Sequence, residues 1–128
     1  MNNWFWEVII TYTTKADFEL FKKECWKWIN RLGLHSWEYS FVHADIDANG
    51  DCTSFRNAKR ILIRFAKSII PIDKTKSFYI KEIAQHEVFH VLLENLYHQA
   101  FDRSYCDEDY RIEEHAVIHK LQKAFKGE

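Results

Sequence analysis

Residues 86–90 read His86-Glu87-Val88-Phe89-His90, and on a helix that spacing has a chemical consequence. An α-helix turns once every 3.6 residues, so positions 86 and 90 share one face and their imidazoles can close on one divalent ion. Glu87 is rotated by roughly 100° from His86, which aims its carboxylate at a water beside the ion and not at the ion itself. Two histidine ligands and a glutamate general base are the chemistry of zinc-assisted hydrolysis. A chance match to three positions falls as readily in a loop. This one lies inside a long segment of apolar periodicity.

That segment predicts a helix from Ser77, a plausible N-cap, to Ala100. Ile80, Ile83, Ala84, Val91, Leu92 and Leu96 form its buried side, with His86, His90 and Glu94 lined up at intervals of four along the border. Glu94 then faces solvent or partners one of the histidines. A catalytic zinc site takes three protein ligands and leaves a fourth position for water, so a third donor must come from another element. His98 lies roughly 12 Å beyond His90 along an unbroken helix, which is too far. The metzincin continuation fails as well, because Leu93 and Leu96 stand where its Gly and third His belong.

Glu113, Glu114, His115 and His119 remain, on a final amphipathic segment from about Tyr110 to Lys126 whose apolar stripe is Ile112, Val117, Ile118, Leu121 and Phe125. A ligand must share the face that presses against the first His-bearing helix. Glu114 is followed at i+3, i+4 and i+7 by Val117, Ile118 and Leu121, whereas the same offsets from Glu113 give Ala116, Val117 and Lys120. Glu114 is the preferred third ligand on this test, with Glu113 and then a histidine behind it.

The rest of the chain must supply a platform. Trp4 to Thr13 is aromatic and β-branched and predicts a buried strand. Thr14 or Asp17 can cap a helix carrying Phe18, Phe21, Cys25, Trp28, Ile29 and Leu32 at helical spacing until Gly33 ends it. Ser36 to Ile46 predicts a second strand, residues 47–51 an Asn-Gly turn, and Cys52 to Asn57 the return strand of a hairpin. Arg60 to Phe65 is a further strand, Pro71 ends the sheet region, Ile72 to Lys76 is a loop, and Phe101 to Asp109 is another. The acidic turn (Asp45, Asp47, Asn49, Asp51) lacks the terminal Glu of a calcium loop, and no entering helix is predicted before it. His35 and His43 read as surface or packed histidines. The expected architecture is α+β: a short mixed β-sheet with one packing helix, then a zincin-like catalytic helix and a C-terminal helix.

The 128 residues, 47% of them hydrophobic, suit one domain spanning 1–128 with a real core. Eighteen Lys plus Arg against nineteen Asp plus Glu leave no field to attract nucleic acid or an anionic membrane surface. No segment approaches a membrane span and the N-terminus has no signal-peptide pattern. Cys25, Cys52 and Cys106 form neither a disulfide framework nor a CxxC pair, as expected of free thiols in a reducing cytoplasm.

His86-Glu87-Val88-Phe89-His90-Val91-Leu92-Leu93, followed after a loop by Glu114-His115-Ala116-Val117-Ile118, resembles the small gluzincin-type metallopeptidases, the minigluzincins, including phage and prophage proteins of similar length. The resemblance implies zinc held by His86, His90 and Glu114, with Glu87 as general base in peptide-bond hydrolysis. It also implies an extended peptide or protein substrate paired with a sheet edge above the cleft. The Asn-Glu-xxx-Asp context of the larger thermolysin-like enzymes is absent. Tyr110, His98, His115 and Tyr105 are candidates to stabilise the oxyanion. Two rival expectations belong to other classes: a phage-type binding or inhibitory protein that keeps zinc only for stability, and a metal-free interaction domain.

Overall fold

A computed structural model describes residues 10–100 and 107–126. The element order is β1 (Thr11–Tyr12), α1 (Lys15–Leu32), β2 (Glu38–Ala44), β3 (Gly50–Phe55), a 3-10 turn (Arg56–Ala58), β4 (Arg60–Ala66), β5 (Ser68–Ile69), α2 (Lys76–Ala100) and α3 (Asp107–Lys126). Three helices and two small sheets make the fold α+β, as the sequence predicts.

Thr14 and Asp17 act together at the start of α1. The Thr14 hydroxyl accepts from the Asp17 amide (3.1 Å) while Asp17 accepts from the Thr14 amide (2.8 Å), a reciprocal capping box. At the other end Gly33 adopts a left-handed conformation (φ 66°), and the amide of Leu34 closes on the carbonyl of Ile29 at 2.9 Å. Between these caps Phe21, Cys25, Trp28 and Ile29 are buried on one face. Lys76, the first residue of α2, bonds Asp17 at 2.7 Å, so the two helices are tied at their N-terminal ends.

The sheet order corrects one expectation. Strands β2 and β3 do not form a hairpin: β4 lies between them, parallel to β2 (Glu38↔Arg60 through Ala44↔Ala66) and antiparallel to β3 (Gly50↔Phe65 through Phe55↔Arg60). The hairpin is β3–β4, closed by the 3-10 turn and Lys59 in a left-handed conformation. The reason is burial. Ile61, Ile63 and Phe65 of β4 are almost fully buried, and a strand that apolar is best placed in the centre, leaving the more polar β3 at an edge. Asn49 leads into Gly50, the first residue of β3, and the pair does not close a β2–β3 hairpin.

The first strand is described only at Thr11–Tyr12, where it pairs with β5; Trp4 to Ile9 of the expected strand lie outside the described residues. The helices cover one face of the larger sheet. Phe21 of α1 stacks on Phe65 of β4 with ring centroids 4.5 Å apart, and Ile80, Ala84, Val88 and Val91 of α2 complete the core. Thr75, not Ser77, precedes α2, its hydroxyl accepting from the Phe78 amide at 3.3 Å. Helix α3 is fastened by a ring cluster in which Trp28 of α1, Phe89 of α2 and Phe125 of α3 meet at 5.4–5.8 Å. It begins at Asp107, earlier than expected. Its inward positions are Val117, Leu121 and Ala124, whereas Ile112 and Ile118 of the expected apolar stripe are exposed. No described helix is long and apolar enough to cross a membrane.

Candidate metal centre

Helix α2 carries its motif at the boundary between core and solvent. Burial of Ile80, Ile83, Ala84, Val88 and Val91 fixes the rotation of the helix about its axis. That rotation leaves His86 and His90 on the exposed side and turns Glu87 inward to 4% exposure, making it the buried charged residue of the described core. The two imidazoles lean together: Nε2 of His90 is 3.2 Å from Nε2 of His86. With Zn–N bonds of about 2.0–2.1 Å, two ligands of a tetrahedral zinc site stand about 3.3 Å apart. The pair thus has the donor type and separation of two zinc ligands. Burial, and then the neighbouring His86, hold His90 below the ordinary imidazole pKa, which favours the neutral form a metal requires.

Glu87 lies under the start of β3, and glycine is what lets the strand approach. A Cβ on Gly50 would come within 3.0 Å of the Arg64 carbonyl, 3.1 Å of Ile83 Cγ2 and 3.5 Å of Glu87 Cγ. Burial, with a smaller contribution from the charge of Asp51, pushes the Glu87 carboxyl up to about 7. Asp51 itself is gripped by Arg64 through two guanidinium nitrogens, with Nε at 2.8 Å from Oδ1. The Asn49-Gly50 signal was present in the sequence, but its purpose is close packing over α2, which turn chemistry alone could not reveal.

Glu114 lies on the side of α3 that carries Val117 and Leu121, whereas Ile118, the third of its expected apolar offsets, is exposed. Glu114 is half-buried and lines, with His90, Glu94, Cys52 and Ser54, a cavity of about 370 Å³ between α2, β3 and α3. Among the described residues Glu94 is bonded to a serine and not to a histidine: its Oε1 accepts from the Ser54 hydroxyl at 2.8 Å, which pins α2 to the edge strand. Burial, and then the charges of Glu87 and Glu94, push the Cys52 thiol up to about 12, so it stays protonated. Among the described residues no three His, Cys, Asp or Glu side chains converge closely enough to hold an ion. The fold brings His86 and His90 together, with Glu87 next to His86 along α2 but turned inward, and sets Glu114 in the adjoining cavity. Imidazole and carboxylate are donor types that zinc takes.

The other named candidates fall elsewhere. His115 is exposed and its Nδ1–H donates to the Arg111 carbonyl at 2.9 Å. The side chains of Glu113, His98 and Tyr110, and all of Tyr105, lie outside the described set. His35 is exposed. His43 is packed between the rings of Phe18 (5.1 Å) and Phe65 (5.6 Å). Neither family models, nor curated proteins, nor solved structures give a match to this chain.

Proposed function

We propose that the chain is a zinc-dependent peptidase of gluzincin type, acting on peptide or protein substrates. The observation that carries this reading is the His86–His90 pair, its Nε2 atoms 3.2 Å apart, beside a buried Glu87 under an edge strand. His86, His90 and Glu114 would hold the zinc ion, which when bound supplies Lewis acidity toward a substrate carbonyl and makes water more acidic. Glu87 takes the proton from the attacking water and returns it to the leaving amine. In the metal-free chain burial raises that carboxyl above the ordinary carboxylate range, and the charge of a bound zinc would oppose the shift. β3 pairs only with β4 among the described strands, so its outer edge offers backbone groups to an extended peptide.

Balanced charge argues against nucleic acid or an anionic membrane as partner, and the free thiols of Cys25 and Cys52 fit a cytoplasmic setting. The test is zinc content by elemental analysis, followed by turnover of a peptide mixture by the wild type and Glu87→Gln. One zinc per chain and a fall in turnover of at least about 100-fold in the variant support the reading. Equal turnover by the two proteins refutes the assigned base.

One observation favours a second reading: the carboxylate of Glu114 does not close with the histidine pair into a three-donor group among the described residues. That is what a metal-free interaction domain would show, and in such a domain elemental analysis would find no zinc, added zinc would not raise stability, and no peptide would be cut.

A further inference from the structure

Two cavities flank the histidine pair along α2, one on each side. The cavity on the N-terminal side, of about 360 Å³, is walled by Tyr79, Glu82 and Ile83 of α2 and by Asn49 and Gly50 at the start of β3, and it opens beside Glu87. Asn49 Nδ2 donates to the Tyr79 hydroxyl at 2.7 Å, which leaves the Asn49 carbonyl oxygen as an acceptor. Glu82 adds a carboxylate. The polar wall thus holds one carboxylate and one amide oxygen as acceptors beside the Tyr79 hydroxyl and His86, while Ile83 and the Tyr79 ring give it an apolar flank.

The chain itself shows what such a wall attracts. The Lys74 ammonium pairs with Glu82 and lies 5.6 Å from the centroid of the Tyr79 ring. Both members of the ion pair are about 40% exposed (39% and 40%), so the contact is weak and open to exchange with another cation. A substrate guanidinium or ammonium would meet the same carboxylate, the Asn49 oxygen and the ring face. An acidic side chain would be repelled by Glu82. An aliphatic one would cover the Asn49 oxygen and the Glu82 carboxylate without pairing them.

Building on the peptidase reading, we infer that this cavity is the specificity subsite, that it takes a Lys or Arg side chain next to the scissile bond, and that Lys74 competes for it from within. Glu82 and Asn49 are then the specificity-determining residues.

The experiment uses fluorescein-labelled hexapeptides identical except for one position, occupied by Arg, Leu or Glu. They are titrated by fluorescence anisotropy against zinc-loaded Glu87→Gln, in which bound peptide survives. The Arg peptide binds tightest, about fivefold over Leu. Adding Glu82→Gln abolishes that margin, and adding Lys74→Met widens it by a similar factor. Circular dichroism of each variant confirms that the fold is kept.

Equal binding of the three peptides, binding of none, or a margin narrowed by Lys74→Met overturns the inference. The two readings fail separately. Wild-type cleavage with no preference for a basic residue beside the cut removes the subsite and leaves the peptidase. Zinc binding without turnover removes the peptidase, while the anisotropy series still reads the cavity.

Discussion

Gly50 of β3 lies directly over Glu87 of α2: a Cβ at position 50 would reach contact with Glu87 Cγ at 3.5 Å, and would crowd Ile83 Cγ2 at 3.1 Å and the Arg64 carbonyl at 3.0 Å. The absence of a Cβ at one position thus sets both the height of the edge strand above α2 and the burial of the proposed base. Gly50→Val is expected to lower stability by about 1–3 kcal/mol through overpacking, read as a drop in thermal midpoint. It should also lower hydrolytic turnover more than Thr53→Val, a change on the same strand away from Glu87.

Metal binding should divide the candidate ligands. His86→Ala and His90→Ala are each expected to abolish stoichiometric zinc in elemental analysis. Glu114→Ala should weaken binding by more than the roughly 100-fold that loss of a ligand's hydrogen-bond partner costs, with Glu113→Ala near wild type. Zinc affinity reduced by Glu113→Ala and untouched by Glu114→Ala would transfer the third-ligand role to position 113.

Glu87 predicts an unusual stability profile for the metal-free protein. Its folded-state pKa of about 7 lies above the ordinary 4.5, so between those values the folded state holds the proton more tightly than the unfolded one. Stability contributed by the protonated form is full below pH 4.5 and is lost as pH rises through 7. Glu87→Gln should therefore raise the thermal midpoint at pH 8, where the wild type carries a buried charge, and change it little at pH 4.5. A lower midpoint for the variant at pH 8 would contradict the burial argument.

His43 predicts the opposite slope. Burial, and then the charge of Lys67, hold its pKa below the ordinary imidazole value. The Thr13 hydroxyl donates to the Ala66 carbonyl at 2.7 Å, so the His43 Nε2–H donates to Thr13, also at 2.7 Å. Asp17 is the nearby charge that favours the protonated form, though less than burial opposes it. A depressed folded-state pKa gives stability that is present above the unfolded value of about 6.5 and lost as pH falls through the folded one. Thermal midpoints should decline below pH 6.5, and His43→Gln should flatten that decline. An unchanged slope in the variant would remove His43 as its source.

The ring cluster of Trp28, Phe89 and Phe125 predicts a link between packing and the metal. Phe89 lies inside the motif itself, between Val88 and His90, and its ring holds Phe125 of α3 at 5.8 Å. Phe89→Ala is expected to cost about 2–3 kcal/mol in chemical denaturation. If α3 supplies a ligand, zinc affinity should fall as well. Affinity unchanged in a folded Phe89→Ala protein would mean that α3 contributes no donor.

Local rules were enough for much of this protein. The 3.6-residue period placed His86 and His90 on one face, the offset of Glu114 from Val117 and Leu121 put it on their side of α3, and the Thr14–Asp17 box and Gly33 bounded α1, because each depends on side chains within a turn or two. Strand order was not legible. The Asn49-Gly50 pair carries the local chemistry of a hairpin turn, and only the competition of β4 for the buried centre, an interaction between distant segments, moved β3 to the edge over Glu87. Ile112 and Ile118 failed as core positions for the same reason: periodicity states which residues share a face, but the cluster at Trp28 and Phe89 decides where α3 is pressed. The pairing of Ser54 with Glu94, the contact of Asn49 with Tyr79 and the two cavities these pairs line were likewise set by how β3 crosses α2, an arrangement made by packing and by no local signal.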